Sequence, residues 1–199
     1  MKLEKMIDFN NVLVEVSNRH IHLSKDHLEI LFGRYSRLTK RKMLSQPGQY
    51  SSQETVTLKH NRYEISNVRI LGPIRQQTQV EISATDSRQL KVNAPYRLSG
   101  DIKNSPGITI IGPLGEVKLK EGVIIARRHL HIPYNIADYL RIKNGQEVSV
   151  YIDGTRPITY HSIIARLGPN KKTALAVHLD TDEGNSSLIK GYTYGKLLV

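Results

Sequence analysis

The sequence predicts a mainly β protein, built from small barrels or a sandwich. Three observations carry that expectation. Short runs of alternating or β-branched apolar residues recur along the chain, Gly and Pro turn signals separate them, and one strand-plus-motif element occurs twice. The same texture excludes a doubly wound parallel sheet, which needs long helices between its strands.

Taken in order, the first strand is expected at Val12–Val16. Ser24 can cap a helix over Lys25–Phe32, with Gly33 as its stop. Strands follow at Thr55–Leu58, Tyr63–Leu71 and Gln79–Ser83, with Gly72-Pro73 as a turn between the last two. Pro106-Gly107 and Gly112-Pro113 bracket a strand at Gly107–Ile111, and Val117–Leu119 and Val123–Ala126 come next. Pro133 suits the start of a second short helix, Tyr134–Leu140. The chain then returns to β with Glu147–Ile152, a turn at Asp153-Gly154, Ile158–Leu167 and Ala174–Leu179.

At 199 residues the chain can form one large domain or two of about 100 residues each. The absence of cysteine excludes disulfides, thiolate metal sites and cysteine nucleophiles, so any metal must rest on imidazole and carboxylate. The first residues do not read as a secretory signal, and no apolar run is long enough to span a bilayer, so the expectation is a cytoplasmic protein without a membrane partner. A net charge of +11 points to an anionic partner: nucleic acid, a phosphorylated metabolite or a membrane surface. The basic residues are scattered, however, with Lys40-Arg41-Lys42 the densest run, and no basic-aromatic RNA motif is present. Phosphate-cradling glycine loops and a Gly-x-Ser-x-Gly nucleophile elbow are also missing.

The repeat concentrates the chemistry. Val14 to Leu23 ends in Arg19-His20-Ile21-His22-Leu23, and Val123 to Ile132 ends in Arg128-His129-Leu130-His131-Ile132. Leu71-Gly72-Pro73 leads to Thr85-Asp86, as Leu167-Gly168-Pro169 leads to Thr181-Asp182. Glu81 and His178 fall at corresponding places there, to within a single insertion. A His-x-His on a strand puts both imidazoles on one face, where they can share a metal ion. Two triads result: His20, His22 and Glu81, then His129, His131 and His178. Three protein ligands with an open fourth position is the arrangement of a catalytic zinc, and two related sites suggest a paired metal centre. His27, His60 and His161 read as surface or packing residues. Arg75, in the loop before Glu81, could clamp a phosphate or simply be one more exposed arginine.

Several stretches taken together carry a resemblance: Ser17-Asn18-Arg19-His20-Ile21-His22-Leu23-Ser24, Leu44 to Tyr50, Leu71 to Glu81, Ser99-Gly100-Asp101, Ser105 to Thr109 and the second Arg-His-Leu-His. Over Val12 to Leu188 the chain resembles the PduL-type phosphate propanoyltransferases, a family of phosphotransacylases. The resemblance implies two closed antiparallel β-barrels with short capping helices, as pseudo-duplicated halves. One would span 19–126, with Glu81, and the other 8–18 plus 127–199, with His178. It implies a reversible reaction of acyl-CoA, propanoyl or acetyl, with inorganic phosphate to give acyl phosphate and CoA. It also implies two Zn2+ per chain on the two triads, Arg75 as the phosphate-holding catalytic residue, and Ser17, Lys42, Arg69 and Asn185 along the CoA pocket. A homodimer is implied too, with no nucleic-acid partner. Pro133 stands where the family has serine, which alters a helix cap. Only about eleven residues precede the first strand, whereas members packed into microcompartments carry a longer amphipathic extension. A free cytoplasmic enzyme is therefore expected. The alternatives are a di-zinc thioester or phosphoester hydrolase and a metal-stabilised nucleic-acid-binding module.

Overall fold

The computed structural model describes residues 9–199. The expectation drawn from the residues before the first strand falls largely on 1–8, outside that range. The elements, in chain order, are β1 (Val12–Ser17), β2 (His20–His22), α1 (Lys25–Phe32), β3 (Lys40–Met43), β4 (Tyr50–His60) and β5 (Tyr63–Gly72). Next come β6 (Gln79–Ile82), α2 (Ala84–Leu90), β7 (Tyr96–Arg97), β8 (Thr109–Ile111), β9 (Glu116–Lys118) and β10 (Val123–Ala126). The last are β11 (His129–Pro133), α3 (Tyr134–Leu140), β12 (Glu147–Ile152), β13 (Ile158–Gly168), β14 (Ala176–Asp180), α4 (Thr181–Ser186) and β15 (Tyr192–Leu198).

The chain divides into two compact units. One holds the residues up to Ser17, Ser45–Pro47 and Arg127–Val199; the other holds Asn18–Leu44 and Gly48–Ala126. In the first unit six strands close into a barrel in the order β1-β14-β11-β13-β12-β15. Val14, Leu130, Ile132, Val150, Ile163, Val177 and Leu179 fill its core at no more than 1% exposure, while their sequence neighbours point the other way. The barrel is mixed, because β1 pairs β14 and β11 pairs β13 in parallel. That corrects the antiparallel expectation: alternation fixes which face is buried and says nothing of a strand's direction. Closure depends on β15, which pairs antiparallel with both β1 and β12.

In the second unit the sheet runs β7-β10-β6-β2-β5-β4-β8-β9, with β3 paired to β4, and it is not closed. A closed barrel was expected here, and the strands at the two ends explain the difference. β7 is two residues long and β9 three, too short to carry a ladder around to the far edge. Its core is formed by Ile21, Leu23, Leu31, Leu58, Ile70, Val80 and Leu90, all fully buried.

Both expected helices are present at their expected bounds. Ser24 Oγ accepts from the His27 amide, and the Gly33 amide donates to Glu29 O with Gly33 at φ 101°. Pro133 leaves α3 without a side-chain cap. Two further helices, α2 and α4, each open on a capping box: Ser83 with Asp86, and Asp180 with Glu183. No helix among the described residues is long and apolar enough to cross a membrane.

Candidate functional site

Each strand that buries its apolar side chains in a core presents its polar ones on the opposite face, and the two triads lie there. In the second unit β2 runs antiparallel to β6, with His20 opposite Glu81 and His22 opposite Gln79. Ile21 between the histidines is fully buried in the core, as are Val80 and Ile82 beside Glu81 at 2% or less. In the first unit β11 runs antiparallel to β14, with His129 opposite His178. Leu130 and Val177 point into that barrel's core. In both units, then, the third ligand candidate is the residue directly across the ladder from the first histidine.

The imidazoles are oriented by the main chain. His20 Nδ1 lies 2.8 Å from Asn18 O and His129 Nδ1 lies 2.9 Å from Arg127 O, in each case the carbonyl two residues earlier. A carbonyl only accepts, so both Nδ1 atoms carry hydrogen in this arrangement and both Nε2 atoms face the triad. His20 Nε2 is 3.5 Å from Glu81 Oε2, and His22 Nε2 is 3.9 Å from Glu81 Oε1. His129 Nε2 is 3.1 Å from His131 Nε2, and the three rings of that triad have centroids 4.7 to 5.2 Å apart.

These separations fit a shared ion. Zinc bonds of about 2.0–2.1 Å at tetrahedral angles put neighbouring ligand atoms roughly 3.3–3.4 Å apart. Within each triad the ligand atoms all lie within 4.8 Å of one another, which suits metal binding. Two nitrogens facing each other at 3.1 Å call for a proton or a cation to relieve lone-pair repulsion. His178 Nε2, also buried there, makes no hydrogen bond and lies 3.2 Å from Glu15 Oε2.

Electrostatics of the Glu81 triad point the same way. Burial pushes the His20 imidazole down, but the charge of Glu81 and its hydrogen bond outweigh this and raise the pKa. Burial acts to raise Glu81, yet the charge of His20 and the hydrogen bond between them draw it well below the usual carboxylate range. His22 is pushed down to about 3 by burial, with the charges of His20 and Arg75 adding to the effect, so it stays a neutral nitrogen donor. A positive charge between His20 and Glu81 is favoured, and a neutral imidazole stands beside it.

Around Glu81 a polar network fixes the carboxylate. Gln79 Nε2 and Ser99 Oγ donate to Glu81 Oε1 at 2.5 and 2.7 Å, and the Gly100 amide donates to Gln79 Oε1 at 2.7 Å. Arg75 NH1 donates to Ser99 Oγ at 3.2 Å, and the Arg75 amide donates to Leu23 O, which ties its loop to the end of β2. Arg75 is thus half-buried beside the triad rather than a free surface arginine. It lines a cleft of about 410 Å³ with Ile74, Gln77, Gln79, Gly100 and Ile102.

The remaining expected residues are spread through the two units. Arg69 lies on β5 across from His20, and its NH1 donates to Ser52 O and Gln53 O at 3.2 and 2.7 Å. Lys42 is exposed on β3. Ser17 ends β1 opposite Asp180, and Asn185 is exposed in α4. His27, His60 and His161 take ordinary hydrogen bonds, to Thr78 Oγ1, Leu90 O and Ser149 Oγ.

Sequence reasoning missed Gln79, Ser99 and two ion pairs. Arg19, just before His20, pairs with Asp86 at 2.6 Å, and Arg128, just before His129, pairs with Glu183 at 3.1 Å. Both acids are the third helical residue of a capping box, so each arginine ties a His-x-His strand to the helix that follows its partner strand. The Ser-x-x-Asp and Asp-x-x-Glu spacings were the available signal.

Comparison with known proteins gives one family. The family model for phosphate propanoyltransferase matches residues 13–190. A phosphate propanoyltransferase of Thermotoga maritima is 46% identical over 179 residues, covering 89% of this chain and 84% of the relative. That of Alkaliphilus metalliredigens is 44% identical over 187 residues, covering 94% and 87%. That of Salmonella typhimurium is 44% identical over 173 residues, covering 86% and 81%. With one family matched over nearly its whole length, this chain belongs to the phosphate propanoyltransferases and is a phosphotransacylase enzyme.

Proposed function

We propose that the chain catalyses acyl-CoA + phosphate ⇌ acyl phosphate + CoA, with propanoyl or acetyl as the acyl group and two Zn2+ per chain, one on each triad. The observation that carries this reading is the pair of triads whose first histidine has Nδ1 tied to the main chain and Nε2 turned inward. Bound zinc supplies Lewis-acid stabilisation of the developing oxyanion and of the departing thiolate.

The chain's own residues supply orientation and charge. Phosphate is already a nucleophile at neutral pH, which removes the need for an activated serine or cysteine. A phosphate oxygen attacks the thioester carbonyl carbon, the C–S bond breaks, and sulfur leaves with the electron pair as CoA thiolate. Arg75, beside Ser99 and Glu81, holds the phosphate through its guanidinium and is the catalytic arginine. Glu81 stays ionised as a ligand and lowers the net charge of its site, which favours release of the thiolate. Holding both anions in place lowers the barrier by several kcal/mol through proximity. Ser17, Lys42, Arg69 and Asn185 contact CoA, with Lys42 and Arg69 suited to its phosphates. The same reading takes the two units as domains from one duplicated half, in a cytoplasmic homodimer that binds neither nucleic acid nor membrane.

The test measures metal per chain on purified protein, together with CoA release from propanoyl- and acetyl-CoA with and without phosphate. About two zincs and strictly phosphate-dependent release support the reading. Release without phosphate makes the protein a hydrolase. No metal and no release overturn both.

A further inference from the structure

The two triads differ in charge, and the strand beside each shows how the difference is offset. Glu81 brings a carboxylate into its own triad, while His129, His131 and His178 bring none. The parallel neighbour of Glu81 across β6 and β10 is Ile124. The parallel neighbour of His178 across β14 and β1 is Glu15. Glu15, His178 and His129 therefore form one row across three adjacent strands, on the face turned away from the core.

Glu15 is held in that row. Its Oε2 lies 3.2 Å from His178 Nε2, without the in-line geometry of a hydrogen bond. The same oxygen accepts a short hydrogen bond from Ser45 Oγ. Ser45 is itself fixed, because the next residue is pinned to the barrel. The buried Gln46 side chain donates from Nε2 to Ala174 O and accepts at Oε1 from the Ala174 amide, both at 3.2 Å, as a neighbouring strand would. Segment Ser45–Pro47 thus adds a hydroxyl donor beside a half-buried carboxylate.

We propose that Glu15 is a positioning residue of the all-histidine site. Its carboxylate, oriented by Ser45, sets the His178 ring and gives that site the negative charge that Glu81 gives the other. This rests on the reading that the all-histidine triad holds zinc. With Glu15 against Nε2, the nitrogen that His178 has left for an ion is Nδ1. A carboxylate on the far nitrogen of a metal-bound imidazole raises its basicity and fixes its orientation, and losing one typically weakens metal binding about 10- to 100-fold.

The experiment compares wild type with Glu15→Gln, which keeps the size and the Ser45 hydrogen bond but removes the charge. Zinc affinities of both sites are read by chelator competition, and the His178 ring by nitrogen-detected NMR of the zinc-loaded protein. The expected result is a 10- to 100-fold weaker second site, an unchanged first site and shifted His178 ring resonances. Ser45→Ala, which frees the carboxylate without removing it, should weaken the second site by a few-fold and serves if Glu15→Gln does not fold. Two unchanged affinities with unmoved His178 resonances would overturn the role of Glu15 while leaving the proposed function intact. A wild type that binds no zinc at this triad overturns the metal reading itself and the inference with it.

Discussion

Glu81→Gln is the most informative single change at the first triad, because the structure fixes how the amide must sit. Glu81 Oε1 already accepts from Gln79 and Ser99, so the oxygen turned toward His20 Nε2, at 3.5 Å, is Oε2. A glutamine that keeps both hydrogen bonds places its carbonyl at the Oε1 position and its NH2 toward His20. That NH2 is a donor with no lone pair for a metal. The flipped amide instead turns its NH2 on two donors, at about 1–3 kcal/mol for each buried bond lost. The first orientation removes a ligand from the site, and the second keeps one by giving up both hydrogen bonds, so each weakens metal binding. Structural zinc sites bind with about 10–16 kcal/mol over four ligands, or roughly 3 kcal/mol per ligand. The expected weakening is therefore about a hundredfold. Competition against a chromophoric chelator should show one weakened site and one of wild-type affinity, with far-ultraviolet circular dichroism unchanged. Wild-type affinity at both sites together with full turnover would refute the reasoning.

Three further outcomes follow from the geometry. In the metal-free protein, His22 titrates near 3 when folded and near 6.5 when unfolded, so between those values only the unfolded chain binds its proton and stability falls as pH falls. Urea midpoints at pH 4 and 7 should show a slope that His22→Asn reduces. Arg75→Lys gives up the planar fork, and KM for phosphate should rise about tenfold or more with KM for acyl-CoA little changed; equal rises in both would remove Arg75 from the phosphate site. Gly195 on β15 has no room for a methyl group, since a Cβ there would meet Val150 Cγ1 at 2.7 Å and Tyr151 O at 2.8 Å. Gly195→Ala should cost about 2 kcal/mol, seen as a melting temperature lowered by roughly 4–8 °C, and an unchanged melt would count against its place in the closing strand.

The triads were legible because two independent regularities coincide in them. A period of two sends His20 and His22, and likewise His129 and His131, to one face, and the repeat then selects Glu81 and His178 from all other acids and histidines. Pairing was less legible. Nothing in Val12–Ser17 says that its neighbours are a parallel β14 and an antiparallel β15, because strand direction is set by connections elsewhere in the chain. Strand β15 itself went unread: Gly195 interrupts an otherwise favourable Tyr192-Thr193-Tyr194 run, and only packing against Val150 explains the glycine. Ser99 stands 18 positions after Glu81, a separation at which no local pattern survives, yet it delivers a hydroxyl to that carboxylate.

The carbonyls of Asn18 and Arg127 have a genetic consequence. They set the tautomer of His20 and His129, and every residue type supplies a carbonyl oxygen. A polar, uncharged side chain at one position and a cationic one at the other serve equally, because neither side chain makes that contact. No point substitution at 18 or 127 can delete the instruction; it can only shift the backbone that delivers it. Saturation mutagenesis at these two codons should therefore be far more permissive for metal binding than at 20 or 129, although all four positions serve the same nitrogens.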